Sequence, residues 1–186
     1  MCKLHNFCEL SRRVFMVFDR DQFVEDLKGS YEVYYDLFPG KDSGEIPLAF
    51  RGEFHSRGEQ YFLIKKAKIW SNETNEYVFV YSAPWFDAGT IDRCVKDALD
   101  TALPLIHPHA EHNYSNVHTI FVADSISEEI RKHIRKQKFS KSYRMNMHGF
   151  TLLKTGFIDL SGPEYGTNRE GHDMNKFFKD LFSEKK

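Results

Sequence analysis

Charged and imidazole side chains interrupt the apolar, strand-like sequence between positions 46 and 83, and they are the residues best suited to chemistry. Lys65 and Lys66 are adjacent, so they must point to opposite faces of a strand, and both faces are otherwise apolar. At least one ammonium group is therefore expected to be half buried. A buried ammonium requires a carboxylate partner or loses its proton. The nearest candidates by chain order are Glu53, Glu59 and Glu76, and Glu53 is the expected partner. Such a pair is either structural or functional, because the two look alike in sequence.

The candidate site predicted around these lysines also takes in a histidine from a later loop and an acid that follows a buried strand. Its members are Arg51, Glu53, His55, Glu59, Lys65, Lys66, His112 and Asp124. Asp124 is included because functional carboxylates commonly follow the central strands of α/β sheets. Alternatively, it could contribute to the N-terminal cap of the helix that follows. No residue is assigned a catalytic role, since the sequence does not supply a complete catalytic set.

A second group of potential ligands is the string HPHAEH, which contains His107, His109, Glu111 and His112. Imidazoles this close in sequence can converge on Zn²⁺. The string resembles the HxHxDH signature of the metallo-β-lactamase fold, but Glu111 stands in place of the aspartate and the string follows a predicted helix instead of a strand. The alternative is a polar surface loop. We expect no tightly bound zinc here, and the sequence predicts no cofactor.

Lys132, Arg135 and Lys136 lie in a basic stretch that could contact phosphate groups. The alternative is a helix whose cations lie near its C-terminal end, where the helix dipole favours them. We expect weak, salt-sensitive binding of nucleic acid at most, because the chain has a formal net charge of −1.

The apolar and charged fractions are close to those of an ordinary globular protein. The expected partner is an unidentified small molecule or protein, and no membrane is expected. Cys2, Cys8 and Cys94 are expected to be free thiols, since an odd number of cysteines without small-scaffold spacing does not form a disulfide framework. No apolar run reaches the length of a membrane span, and the N-terminus lacks the apolar stretch of a signal peptide. A cytoplasmic location is the expectation, and the oligomeric state has no signal in the sequence.

Helical periodicity and breaker residues predict four helices. They cover residues 23–38 with Asp21 as N-cap, the segment between Thr90 and Pro104, about 127–137 with Ser125 as N-cap, and a C-terminal segment carrying Met174 to Phe182. In the second helix Ile91, Cys94, Val95, Ala98, Leu99 and Ala102 form the apolar stripe, while Asp97 is expected to face water.

Alternating and continuous apolar segments predict the strands. Residues 46–56, 61–70 and 77–83 would form a three-strand antiparallel meander, with turns at 57–59 and 71–75. Residues 117–123 form a run typical of an interior strand, and 143–148 and the segment after Gly149 follow as two more. The expected fold is α+β: one domain over residues 1–186, with a mixed, mainly antiparallel sheet, helices on its faces, and 1–20 as a loosely attached segment.

Two resemblances accompany this interpretation. The strings FRGEFHSRGEQYFLIKKAKIW, EHNYS and TNREG resemble an uncharacterised family of small bacterial cytosolic proteins, which implies no activity. The element order is similar to that of the restriction-endonuclease-like fold, although the Glu-x-Lys motif of that fold is absent. We expect a non-catalytic binding or regulatory domain whose site lies on the polar face of the 46–83 meander. The alternative is a metal-dependent hydrolase, acting as a phosphodiesterase or a nuclease.

Overall fold

The framework of the protein is a mixed sheet of seven strands, with two helices packed against each face. A computed structural model describes residues 18–40, 45–59 and 71–183, without the side chains of residues 58, 59, 71 and 72. Within these ranges the elements are α1 (Arg20–Glu32), β1 (Asp36–Pro39), β2 (Leu48–Glu59), β3 (Ser71–Ala83), α2 (Ala88–Ala102), a 3₁₀ turn (Leu103–Leu105), β4 (His112–Ala123), α3 (Glu128–Lys136), β5 (Ser140–Ser142), β6 (Phe150–Asp159), β7 (Glu164–Thr167) and α4 (Met174–Ser183).

The strand order is β1-β2-β3-β4-β6-β5, and β7 also pairs with β6. Strands β3, β4 and β6 are parallel, while the other pairings are antiparallel. The α+β class and the mainly antiparallel sheet are therefore confirmed. The predicted strand 117–123 lies within β4 and is hydrogen-bonded on both edges, so its interior position is also confirmed.

The sheet separates two apolar cores. On one face, which we call the α2 face, α2 and α3 cover the side chains of Tyr77, Phe79 and Tyr81. On the opposite face, which we call the α4 face, α1 and α4 cover Val78 and Val80. This separation follows from the alternation of side chains along a strand.

Helices α2, α3 and α4 form close to where the sequence predicts them. Helix α2 begins after Asp87, whose carboxylate accepts a hydrogen bond from the backbone N–H of Thr90 at 2.7 Å. Its predicted apolar stripe is buried apart from Leu99, which is partly buried. Helix α3 begins after Ser127 and not after Ser125. The predicted apolar positions of α4 pack on the core.

The first helix is shorter than predicted. It begins after Asp19, ends at Glu32, and is followed by β1, so residues 36–38 are strand and not helix. The aromatic residues of this segment have helical spacing, but β1 instead pairs with β2, where Phe38 lies opposite Arg51. Phe18 packs against Phe182, and residues 1–17 of the segment expected to be loosely attached lie outside the described residues.

The three-strand meander is present, but its strands are β1, β2 and β3. Arg57 lies opposite Glu73 in the β2–β3 ladder, so both predicted turns, 57–59 and 71–75, are strand instead. Strands β2 and β3 pair with each other directly, which leaves no place between them for a middle strand. The predicted strand 61–70 lies outside the described residues.

The predicted strand 143–148 is a turn. Arg144, Met145 and Asn146 have φ angles of 48°, 53° and 67°, which are left-handed conformations that break an extended chain. The turn is closed by the hydroxyl of Ser142, which accepts a hydrogen bond from the backbone N–H of Asn146 at 2.9 Å. Strand β7 lies in a segment, 161–168, whose composition resembles a loop.

The carboxylate of Asp159 joins the sheet to the loop before α3 and to α3 itself. It is buried and accepts hydrogen bonds from the backbone N–H of Ile126 at 2.9 Å, from Arg131 at 2.6 Å, and from the backbone and hydroxyl of Ser161. Burial raises the pKa of Asp159, but the bonds from Ser161 and Arg131 outweigh it and hold the pKa below its usual value.

We predict that Asp159→Ala destabilises the fold by about 2–3 kcal/mol, because it leaves the buried backbone N–H of Ile126 without its acceptor and removes one of the three carboxylates that pair with Arg131. Asp124→Ala is the matched control: this exposed acid pairs with Arg20 at 2.7 Å, and such surface pairs contribute about 1 kcal/mol or less. Urea denaturation monitored by circular dichroism measures both free energies of unfolding. Equal losses in the two variants would contradict the structural role given to Asp159.

Candidate functional site

A pocket of about 560 Å³ lies between the meander and the flank of α2, on the α2 face of the sheet. Its walls come from β1, the segment leading into β2, β2 itself, β3 and α2. The lining residues are Phe38, Pro39, Ile46, Leu48, Arg51, Phe79, Asp97 and Thr101. Most of these side chains are apolar, so the few polar groups determine what the pocket can recognise.

Arg51 is the cation of the pocket, and two neighbours fix its position. Its guanidinium carbon lies 4.4 Å from the centroid of the Phe38 ring, and one of its nitrogens lies 3.4 Å from a carboxylate oxygen of Glu53. Alternation along β2 places Arg51 and Glu53 on the same face, while the β1–β2 register sets Phe38 opposite Arg51. The guanidinium is therefore held in one orientation before any ligand arrives.

Asp97 supplies the negative charge on the α2 side of the pocket. It is partly buried, and its carboxylate accepts a hydrogen bond from the hydroxyl of Tyr81 at 3.3 Å. The same hydroxyl donates to the carbonyl oxygen of Cys94 at 2.8 Å. In the part of the chain that the structure describes, Asp97 forms no ion pair with a cationic side chain.

A hydrogen-bonded network extends from the pocket along the same face of the sheet. His55 lies 3.7 Å from Glu53 and 2.7 Å from the side-chain oxygen of Asn75. The amide nitrogen of Asn75 lies 3.5 Å from the hydroxyl of Ser115, which is 2.8 Å from Nε2 of His112. The polar face of the meander and the loop around His112, identified separately in the sequence, are thus joined through Asn75 and Ser115.

The far end of the network is fixed by the turn before β6. Nδ1 of His112 lies 2.8 Å from the carbonyl oxygen of His148, which can only accept a hydrogen bond, so Nδ1 carries the hydrogen. Nε2 of the neutral ring is then an acceptor, and it accepts the hydrogen bond from the hydroxyl of Ser115. Gly149 has a φ of 74°, and a Cβ there would lie 2.2 Å from the carbonyl oxygen of Asn113. This close approach requires glycine and positions the His148 carbonyl over His112.

A hydroxyl that donates to an oriented imidazole is the arrangement that activates a serine nucleophile. Ser115 and His112 are both buried, however, and they satisfy each other's hydrogen-bonding needs inside the α2 face. The observed pair therefore provides internal hydrogen bonding, as buried polar groups require.

The HPHAEH string does not converge on one point. His109 bonds Glu73 at 3.0 Å, Glu111 pairs with Arg57 at 2.7 Å, and His112 bonds Ser115. Partial burial raises the pKa of Glu73, but the bonds from Asn75 and His109 hold it below its usual value. Within residues 18–40, 45–59 and 71–183, no group of three or more His, Cys, Asp or Glu side chains is placed to hold a metal ion.

The structure separates the other predicted site residues. Asp124 follows β4, whereas His112 begins it, and the two are separated by the length of a strand of 12 residues, about 40 Å. Lys65 and Lys66, with the predicted pairing of one of them to Glu53, lie outside the described residues, as does the side chain of Glu59.

The predicted phosphate-binding residues share the C-terminal half of α3. Glu128 lies 3.8 Å from the ammonium of Lys132 and 3.9 Å from a guanidinium nitrogen of Arg135, which also packs over Phe157. Lys136 is in the last turn of the helix. Part of the positive charge is therefore compensated within the helix, and binding of phosphate by this helix stays a prediction.

The α4 face contains a buried histidine, His118, whose importance is not evident from the sequence. Its Nδ1 lies 3.3 Å from the sulfur of Met174, and its Nε2 is 3.9 Å from Glu76, which also accepts a hydrogen bond from Tyr35. Burial, with a smaller contribution from the nearby Lys154, lowers the pKa of His118 to about 4, against the opposing effects of Glu76 and Asp173. The imidazole is therefore neutral near pH 7.

The residues missed in the sequence have weak signals. The spacing of Phe38 predicts a helix, and the pattern of α2 predicts that Asp97 faces water. Asn75 and Ser115 each continue the alternation of an apolar strand, Asn75 before Tyr77 and Ser115 before Val117, and this continued alternation is the signal that could have identified them.

Three further observations bear on the class of protein. Cys94 is a buried free thiol, and burial raises its pKa to about 12. Among the described residues, no helix is both long and apolar enough to span a membrane. A family model described as "Domain of unknown function (DUF8052)" matches residues 19–180. No curated protein and no solved structure matches the chain.

The environment of His118 predicts how stability changes with pH. Its pKa is lower in the folded chain than in the unfolded chain, so its contribution is complete above about pH 6.5 and is lost as the pH falls towards 4. Between pH 7 and pH 4 the parent should lose about 3 kcal/mol more stability than His118→Gln. His107→Gln, the same substitution at an exposed histidine, is the matched control for the change of side chain. Urea denaturation at each pH measures the difference, and parallel curves for the parent and His118→Gln would contradict it.

Proposed function

The chain belongs to the DUF8052 family, whose description names no activity, and we propose that it is a non-catalytic domain that binds a small amphipathic acid in the pocket beside α2. The proposal agrees with the sequence-based expectation of a binding or regulatory domain with its site on the meander. One observation carries it: a fixed guanidinium, that of Arg51, lies at the wall of an otherwise largely apolar pocket of about 560 Å³.

The size and lining of the pocket suit a small organic molecule. Ligand pockets commonly have volumes of roughly 300–1,000 Å³ and apolar walls with a few polar groups that orient the ligand. Leu48 and Phe79 provide apolar contact area on the sheet, and Ile46 provides it beside them. An apolar body of about one to three aromatic rings therefore finds room and complementary surface here.

The chemistry of Arg51 supports an acidic group on that molecule. A guanidinium has five N–H donors in one plane, and it binds carboxylates through two parallel hydrogen bonds. Stacking on Phe38 and contact with Glu53 hold this plane in place, which reduces the conformational entropy lost when a ligand binds.

The metal-dependent hydrolase predicted as the alternative has no observation in its favour in the described part of the chain, and it stays a prediction. We place the protein in the cytoplasm, because the buried free thiol of Cys94 suits a reducing compartment. Incubation with phosphodiester and phosphomonoester substrates in the presence of Mg²⁺ or Mn²⁺ tests the hydrolase alternative, and turnover would replace binding as the main function.

The fluorescent probe 8-anilinonaphthalene-1-sulfonate, which combines aromatic rings with an anionic group, tests the binding function. We expect saturable binding that Thr101→Phe abolishes, because the larger side chain fills the pocket from α2. Asp100→Phe is the matched control, since it adds the same side chain at the adjacent, exposed position. Arg51→Gln should weaken binding about tenfold or more, as expected for loss of a charge-assisted hydrogen bond. Equal binding by the parent and Thr101→Phe would contradict the proposed site.

A further inference from the structure

We infer that the natural ligand of the pocket is a zwitterion, a small molecule with an apolar body, an acidic group for Arg51 and an ammonium group for Asp97. This inference rests on the proposed function and specifies its ligand class. It comes from the second charge of the pocket, which a simple acid would not use.

In the described part of the chain the carboxylate of Asp97 has a hydrogen bond but no ion pair, and its nearby cation is the exposed ammonium of Lys96, the preceding residue of α2. The described hydrogen-bond partner of Asp97 is the hydroxyl of Tyr81 at 3.3 Å, and the ion pairs of the described residues do not include Asp97. Arg51 differs, because Glu53 lies 3.4 Å away and balances part of its charge. The pocket therefore has a partly buried negative charge for which an ammonium group would be the complement.

The two charges come from different layers of the fold. Arg51 projects from β2 and Asp97 from α2, while Leu48 and Phe79 of the sheet also line the space. A ligand that carries only an acid would bury Asp97 beside an apolar body without compensation. A ligand that carries only an amine would cover the Arg51 guanidinium and leave the N–H donors that do not face Glu53 without an acceptor. Both situations bury polar groups that lack a full set of partners, so the pocket favours a molecule that carries both charges.

Because each charge of the pocket requires a partner on the ligand, the pocket should discriminate strongly between the zwitterion and its singly charged analogues. A site built to bond a polar group rejects the analogue that lacks the group more effectively than an apolar pocket rejects an extra methyl group. The relevant comparison is therefore between molecules of nearly the same shape that differ in one charged group.

Two matched sets of probes provide the comparison by isothermal titration calorimetry. In the first, 4-(aminomethyl)benzoate is compared with 4-methylbenzoate and 4-methylbenzylamine. In the second, phenylalanine is compared with 3-phenylpropionate and 2-phenylethylamine. The sets differ in the spacing of the two charges. We expect the zwitterion of at least one set to bind at least tenfold more tightly than both of its singly charged analogues.

Two variants that each remove one charge assign that charge to its residue, and Asp97→Asn is also isosteric. Asp97→Asn keeps an acceptor for the Tyr81 hydroxyl, and it should remove the preference for the zwitterion over the acid. Arg51→Gln should remove the preference for the zwitterion over the amine. Circular dichroism and urea denaturation verify that both variants are folded before their affinities are compared.

The outcomes separate this inference from the proposed function. If the acid binds as tightly as the zwitterion and Thr101→Phe abolishes both, the proposed function stands and the zwitterion inference is wrong. If every probe of both sets and the anilinonaphthalene probe fail to bind the folded parent, both are wrong. If the zwitterion is preferred but Asp97→Asn leaves that preference unchanged, the assignment to Asp97 is wrong.

Discussion

The central strand β4 must satisfy its backbone hydrogen bonds on both edges and bury side chains on both faces, and the arrangement of the other elements follows from this constraint. Its parallel neighbours, β3 and β6, are each reached through a helix, and both of these helices, α2 and α3, lie on the same face. The opposite face is left for α1 and α4. Because α2 packs over β3 and β4, it leaves β1 and β2, the antiparallel extension of the sheet, uncovered on this face in the described part of the chain. The pocket lies between the flank of α2 and this extension.

The buried network beside the pocket explains how the strands keep their register. Asn75 and Ser115 are register partners in the parallel β3–β4 ladder, and both are buried with hydrogen bonds. A shift of one residue would turn every side chain of a strand to the other face and leave these groups without partners in an apolar layer. The network therefore selects one pairing of β3 with β4, a role that buried polar groups can have apart from any catalytic one.

The elements that the sequence predicts correctly are those with a single strong periodicity. Helix α2 and strand β4 have one pattern each, and local sequence is sufficient to assign them. Residues 34–38 have helical spacing together with the aromatic composition of a strand, and only pairing with β2 decides between the two. The charged residues at 57–59 and 71–75 resemble turns, but they form the end of a long hairpin. The candidate site is likewise only partly predictable from the sequence. Arg51 can be identified from its residue type. Its contact with Phe38 depends on strand pairing, and the position of Asp97 depends on how α2 packs.

The parallel pairing of β4 with β6 also affects how the chain folds. The two strands are separated in sequence by α3, β5 and the left-handed turn, so their contacts close a loop of about 30 residues at a cost in chain entropy. During synthesis β1, β2 and β3 can pair as soon as they emerge, whereas β4 has an open, apolar edge until β6 follows. Folding through non-local parallel contacts is slow, and an open edge of this kind can pair with other chains. The interval between β4 and β6 is therefore the stage at which this protein is most exposed to aggregation and has most to gain from a chaperone.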